Sequence, residues 1–370
     1  MMNNLGLYLH IPFCNSKCPY CDFYSFRGGE SEKERYTEAL CNRISKSREA
    51  LHIESNRKAD TLYIGGGTPS ALGSKRLVKI IDTARREYLT TDAEITVECN
   101  PHGIDGDFFK ALYSAGANRI SLGLQSAVTA ERRILGRLSD IETVNNAVRQ
   151  AQSAGFSNIS LDIMLGIPNQ TEESLKDTVD FCLQTGVPHI SGYILKLEEG
   201  TPLYRNQHKY SFPDEDLTAD LYLQLCGSLN SAGIFQYEIS NFAKAGFESR
   251  HNLKYWSCEE YLGLGPSAHS FINGKRFYFE RDIQSFLDNT PPLPDGDGGS
   301  FEEYAMLSLR LTKGLQSRAV RERFGFDIPK EMLKKAETLS QNGLVIRDEN
   351  GIRLTEKGFL LSNSVLAELL

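Results

Sequence analysis

The chain has 370 residues, of which 40% are hydrophobic and 24% charged, an ordinary composition for a soluble globular protein of two domains, or of one large α/β domain with an appendage. Its net charge of −7 gives no global electrostatic reason to seek nucleic acid or an anionic membrane. No apolar run approaches the ~20 residues of a spanning helix, and the start MMNNLGLYLH lacks the basic and small-residue pattern of a secretory leader, so a cytoplasmic protein without an integral membrane segment is expected.

Apolar, β-branched runs fall at Leu5–Ile11, Thr61–Ile64, Glu94–Glu98, Arg119–Leu124, Ser157–Leu165 and His189–Leu195. Between them, helical apolar spacing occupies Ser31–Ala50, Ser74–Tyr88, Asp107–Ala115, Glu142–Ala154 and Glu172–Thr185. Gly116, Gly155, Gly186 and Gly233 follow predicted helices, as expected of residues that end a helix in the left-handed conformation. Six strands alternating with helices imply a parallel sheet with helices outside. Six such units are two short of a closed eight-fold barrel, so the expected fold is α/β, a partial (β/α)6 TIM-like barrel; a doubly wound open sheet is the alternative.

A helix over Glu215–Ala232 closes a core of residues 1–232. An aromatic and polar connecting region follows at 233–287, then DNTPPLPDGDGGS at 288–300, which reads as a linker. Residues 301–370 predict helices at Phe301–Leu311, Ser317–Phe324 and Pro329–Asn342. A strand pair, Leu344–Arg347 and Gly351–Leu354, completes a small winged-helix-like domain. Its 11 basic and 10 acidic residues argue for packing rather than DNA binding.

Of the eight cysteines, Cys41, Cys99, Cys182, Cys226 and Cys258 stand alone and read as buried apolar side chains. Cys14, Cys18 and Cys21 instead form C-x3-C-x2-C in the loop after the first strand. A structural zinc would need a fourth ligand, for which His10 is the candidate. A four-iron cubane needs only three thiolates and leaves one iron open.

This motif at the front of a βα barrel resembles the radical S-adenosylmethionine (SAM) superfamily. The resemblance implies a [4Fe-4S] cluster on Cys14, Cys18 and Cys21, with SAM chelated at the open iron. An electron from the cluster then cleaves a C–S bond and gives a 5′-deoxyadenosyl radical. It also implies an electron donor for the cluster. Ligand-binding residues should then recur at the carboxyl ends of the strands. Gly65-Gly66-Gly67-Thr68-Pro69 would let a backbone approach the amino-acid moiety, and Glu98 would accept from the ribose. Gln125, Arg137 and Asp162 follow on later strands. Singly, these could be caps, ion pairs or surface groups. The resemblance carries Tyr8, Tyr20, Gly66, Gly67, Thr68, Glu98, Gln125, Arg137 and Asp162 onto SAM contacts.

YLHIPFC, GGGTP, RISLGLQS, GIPNQT at 166–171 and GLGPSAHS extend the resemblance, over nearly the whole chain, to the oxygen-independent coproporphyrinogen III oxidase-like group. The oxidase branch carries a fourth cysteine two residues after the third, and a longer N-terminal extension. Here that position is Phe23, and 13 residues precede Cys14, so the chain is closer to the haem-chaperone branch. Its relatives' HNxxYW motif appears as His251-Asn252-Leu-Lys-Tyr255-Trp256. Imidazole is a good axial ligand, and Tyr and Trp offer flat apolar faces. The bland alternative is a satisfied structural histidine. The resemblance implies haem as ligand and an apo-haemoprotein, such as a respiratory one, as recipient.

Overall fold

The computed structural model describes residues 4–137 and 139–370. Its first part alternates β1 (Leu5–Ile11), α1 (Glu30–Ala50), β2 (Ala59–Gly66), α2 (Ser74–Glu87), β3 (Leu89–Cys99), α3 (Gly106–Ser114) and β4 (Arg119–Gln125). Then come α4 (Thr129–Ile134), α5 (Ile141–Ser153), β5 (Asn158–Leu165), α6 (Glu172–Gln184) and β6 (His189–Ile194). These strands pair in parallel and in chain order, β1 through β6. Sheet order that follows chain order is the winding of a barrel; a doubly wound sheet would start from an inner strand and reverse.

After α7 (Pro202–Arg205) and α8 (Glu215–Ser231), the chain widens the same sheet on both sides. β7 (Phe235–Glu238) and β8 (Asn241–Ala243) add beyond β6, with β8 antiparallel to it. Following α9 (Arg250–Trp256), β9 (Tyr261–Leu264) pairs in parallel with β1 and carries β10 (His269–Ile272) and β11 (Lys275–Tyr278) outward. The region 233–287, expected to connect, therefore builds both flanks of the barrel and adds α10 (Ile283–Leu287).

The expected linker at 288–300 is corrected in part, because it holds β12 (Leu293–Asp297), antiparallel to β11 with Pro294 opposite Phe277. Proline is tolerated there because an outermost strand needs its backbone donors on one side only. The C-terminal module comprises α11 (Phe301–Ser308), β13 (Leu315–Gln316), α12 (Ser317–Phe324), α13 (Lys330–Gln341), β14 (Val345–Asp348), β15 (Gly351–Leu354), α14 (Glu356–Leu360) and α15 (Ser362–Leu369). Its sheet has three strands, β13-β15-β14, against the two expected; a two-residue strand leaves no periodicity to read.

Side chains along a strand alternate between faces, and the two faces of this barrel differ in kind. Leu5, Leu7, Leu9 and Ile11 of β1 are fully buried on the side of the helices, where α2 contributes Leu77, Ile80 and Ile81. Burying each such side chain stabilises by roughly 1.5–3 kcal/mol. The intervening positions face a polar interior that includes Tyr63, Glu98, Arg119, Asp162 and His189. A polar interior demands partners for its groups, and those partners define the site.

Candidate functional site: the mouth of the barrel

The loop after β1 is closed on itself. Cys14 N donates to Phe26 O at 2.9 Å and Phe26 N to Pro12 O at 2.9 Å, while the Phe13 ring packs edge-on against Phe26 and Tyr36. Lys17 Nζ donates to the carbonyls of Phe23 and Ser25 and ties the far side of the loop. Within this frame Cys14, Cys18 and Cys21 are unpaired thiols with partial exposure, whereas the five lone cysteines are buried. Cys14 Sγ lies 3.3 Å from Thr68 Oγ1, so the loop and the end of β2 meet at the first thiol.

His10 Nε2 donates to Tyr24 O at 2.9 Å, which leaves Nδ1 to accept from Tyr8 OH at 3.1 Å. Both nitrogens are thus engaged, and burial pushes the imidazole down to about 4. His10 does not serve as a fourth zinc ligand in this arrangement. Among the described residues no three His, Cys, Asp or Glu side chains converge as they would on a single ion. Three separated soft thiols suit a cubane, in which each ligand takes a different iron.

At the end of β2, Gly66 has φ +107°, and a Cβ on it would stand 2.5 Å from the His10 ring. One on Gly67 would meet the carbonyls of Ile11 and Phe13 at 2.8 Å. The run therefore lets β2 close against β1 and the cysteine loop. Its amides are used internally, which differs from the expectation that they would face a ligand: Gly66 N donates to Glu98 Oε2 at 3.2 Å, Gly67 N to Ile11 O and Thr68 N to Phe13 O. Glu98 also accepts from Tyr63 OH at 2.8 Å. Burial, with Asp162 nearby, pushes its carboxyl up to about 7 against these two donors.

On the next strands, Gln125 ends β4 at φ +70°, a conformation that costs energy in a residue with a Cβ. Gly123, two residues before it, leaves room for Arg137: a Cβ there would stand 2.9 Å from Arg137 Nη2 and 3.0 Å from Gln125 Nε2. Arg137 approaches Tyr20, Cys18 and Asp162, and its buried Nε has no partner among the described residues. Asp162 accepts from Ser121 Oγ at 2.9 Å, and burial raises its carboxyl. Tyr8 stacks obliquely on Tyr63, with centroids 6.4 Å apart. The nine expected SAM-contact residues and the three thiols thus gather at one end of the barrel. An unpartnered buried guanidinium nitrogen, a strained glutamine and two carboxyls held above their usual range fit a polar cofactor there.

The HNxxYW residues lie elsewhere. α9 closes the amino end of the strands, where Glu94 of β3 accepts from Arg250 N and His251 N, both at 3.0 Å. His251 is fully buried; its Nδ1 is hydrogen-bonded to Thr61 Oγ1 at 2.8 Å and its Nε2 to Tyr255 OH at 2.9 Å. Burial pushes this imidazole down to about 3, so it is neutral. Trp256 lies under the Arg310 guanidinium at 5.7 Å, toward the C-terminal module. As folded here, His251 has no ring nitrogen free for iron. Sequence reasoning missed Thr61, Tyr63, Glu94, Arg119 and Gly123; for the first four the signal was the alternation of polar residues within strands that read as apolar runs.

A partial barrel with three thiols and these side chains at its mouth is the architecture of a radical SAM protein. Residues 8–182 match the Radical SAM superfamily, and residues 301–361 the HemN C-terminal domain. The fold is similar to that of coproporphyrinogen III oxidase from Escherichia coli, with a TM-score of 0.85 at 23% identity, over 100% of this chain and 90% of that one. The chain is 33% identical to the heme chaperone HemW of Bacillus subtilis over 98% of each chain. To that of Mycobacterium tuberculosis it is also 33% identical, over 99% of this chain and 94% of the relative. The chain belongs to the HemW family of radical SAM proteins.

Proposed function

We propose that this protein is a haem chaperone that binds haem, a [4Fe-4S] cluster and SAM, and delivers haem to apo-haemoproteins. The observation that carries the reading is the end-to-end similarity to heme chaperones, combined with Phe23 at the position where the oxidase branch carries a fourth cysteine. Cys14, Cys18 and Cys21 hold the cluster, and the nine residues at the mouth hold SAM. When bound, these groups supply one-electron chemistry. The chain's own residues orient and shield: Glu98 and Asp162 present carboxylates, Arg137 places a positive charge beside the cysteine loop, and Tyr8 and Tyr63 wall the interior.

The recipient we favour is a respiratory haemoprotein, with this chain in the cytoplasm and a separate electron donor for the cluster. Among the described residues no helix is long and apolar enough to cross a membrane. We take residues 1–232 as the cofactor-binding core and 301–370 as a packing module. The test is an anaerobic haem titration of the protein with and without its cluster, followed by transfer to an apo-haemoprotein. Retained haem that passes to the apo-protein is expected. Conversion of coproporphyrinogen at a useful rate, or failure to hold haem in either state, overturns the reading.

A further inference from the structure

The motif at the base of the barrel and the carboxyl at its mouth are joined by one ring. His251 sits between two side chains of β2. It is hydrogen-bonded to Thr61 Oγ1, and its imidazole stacks on Tyr63 with centroids 5.3 Å apart and planes 28° from parallel. Tyr255 meets it edge-on at 5.0 Å, and Tyr255 is itself held edge-on by Tyr261 at 4.6 Å. From β1, a side chain on Gly6 would stand 3.2 Å from the His251 ring, so the imidazole has little room to move. Tyr63, fixed in this way, donates to Glu98 Oε1 at 2.8 Å.

We propose that His251 is a positioning residue for the nucleotide site: it clamps the Tyr63 ring so that the hydroxyl stays on Glu98. The proposal rests on the assignment of Glu98 to SAM. It gives His251 and Tyr255 of the HNxxYW segment a task that their burial permits, whereas surface ligation of haem would require α9 to leave the barrel. Glu98 faces Tyr8 from β1, Tyr63 from β2, Arg119 from β4, Asp162 from β5, Tyr193 from β6 and Tyr255 from α9. Arg119 and the Tyr63 hydroxyl favour the carboxylate, while burial and Asp162 oppose it. Releasing the Tyr63 ring removes one of the two side chains that favour charge, so the carboxyl moves further up.

The experiment is equilibrium binding of S-adenosylhomocysteine, which lacks the sulfonium and is not consumed, to the cluster-loaded protein between pH 6 and about 8.5, a range that brackets the raised Glu98. Because the carboxylate form accepts the ribose hydroxyls, wild-type affinity falls as pH drops through about 7. His251→Ala binds roughly tenfold more weakly at neutral pH, the loss of one hydrogen bond to a charged group, and its midpoint moves up by roughly one pH unit. His251→Phe keeps the stack and restores most of the wild-type midpoint. Tyr63→Phe reproduces the upward shift without touching α9. Thr61→Val, nearly isosteric, loosens the ring and shifts the midpoint in the same direction by less, which keeps the test open if His251→Ala fails to fold. An unmoved midpoint in both His251→Ala and Thr61→Val, at whatever affinity, overturns the positioning role while leaving the nucleotide site intact. Wild-type protein that carries its cluster yet binds no S-adenosylhomocysteine overturns the site assignment itself.

Discussion

Gly123 and Arg137 occupy one space: a single added carbon at position 123 would stand 2.9 Å from Arg137 Nη2. The guanidinium can reach past β4 toward Tyr20 and Asp162 only because that position carries no side chain. Gly123→Ala should displace Arg137 and Gln125 together and cost about 1–3 kcal/mol through overpacking. SAM affinity should fall about tenfold, since each 1.4 kcal/mol is a factor of ten. Iron content should stay unchanged because the thiols lie on another element. Equilibrium binding and an iron assay on the same preparation check both halves.

The eight cysteines divide into two populations by position. Cys14, Cys18 and Cys21 share a partly exposed loop; Cys99 and Cys182 are buried, and burial pushes their thiols far up. Replacing any of the loop thiols by alanine should abolish the brown chromophore and the bound iron after anaerobic reconstitution. Cys182→Ala should leave iron unchanged and cost about 1 kcal/mol of stability for the small cavity. Loss of iron in Cys182→Ala, or a full cluster in Cys18→Ala, would contradict the assignment.

The winding of the barrel was legible because each helix and strand carried its own periodicity, and the cysteine spacing, together with the family resemblance it carries, pointed to a cluster. The flanks were not legible. β8 has three residues and β7, β9, β10 and β11 four each, too short for an alternation to stand out, and β12 hides in a proline-rich stretch that only an outer edge accepts. Asp162 stood out by its place in an apolar strand, whereas the other proposed contacts were singled out by the family resemblance. Gly123 could not, because its value is the space it leaves for a residue 14 positions later. The HNxxYW residues were legible as a motif, but the sequence could not place them inside the barrel base, since that requires knowing that Glu94 caps α9 and Thr61 receives His251.

Glu94 and Arg119 form a buried arrangement that should behave as a unit. Glu94 accepts two amide hydrogens at the start of α9. Burial opposes the charge on Arg119, and Glu94, first among its charged neighbours, more than offsets that cost. Arg119 Nε has no partner among the described residues, so the guanidinium leans on charge rather than on a full set of hydrogen bonds. Glu94→Gln leaves one acceptor for two amides and strands the arginine, at a cost of about 3–5 kcal/mol. Arg119→Met in the Glu94→Gln background should recover part of that loss, because an uncompensated buried charge is removed with it. Urea midpoints of the two single variants and the double variant test this; strictly additive losses would show that the two side chains act independently.

The buried imidazole of His251 also sets a pH dependence of stability whose sign is fixed. Burial, then Lys254 and Arg119, lower its folded value from 6.5 to about 3. A base lowered on folding is stabilised in its neutral form. Its contribution is therefore complete above pH 6.5 and is lost progressively as pH falls toward about 3. Glu98 and Glu238, both raised to about 7 by burial, act in the opposite direction and gain stability on acidification from about 7 to 4.5. The wild-type curve alone therefore mixes the two trends. Subtracting the curve of His251→Asn, which cannot titrate but can still bond Thr61, isolates the histidine. The difference in unfolding free energy should be flat above pH 6.5 and fall by about 1.4 kcal/mol per pH unit below it. A difference that stays flat down to pH 4.5 would mean that the ring reaches solvent or a partner able to accept its second proton, and that α9 does not seal the barrel base.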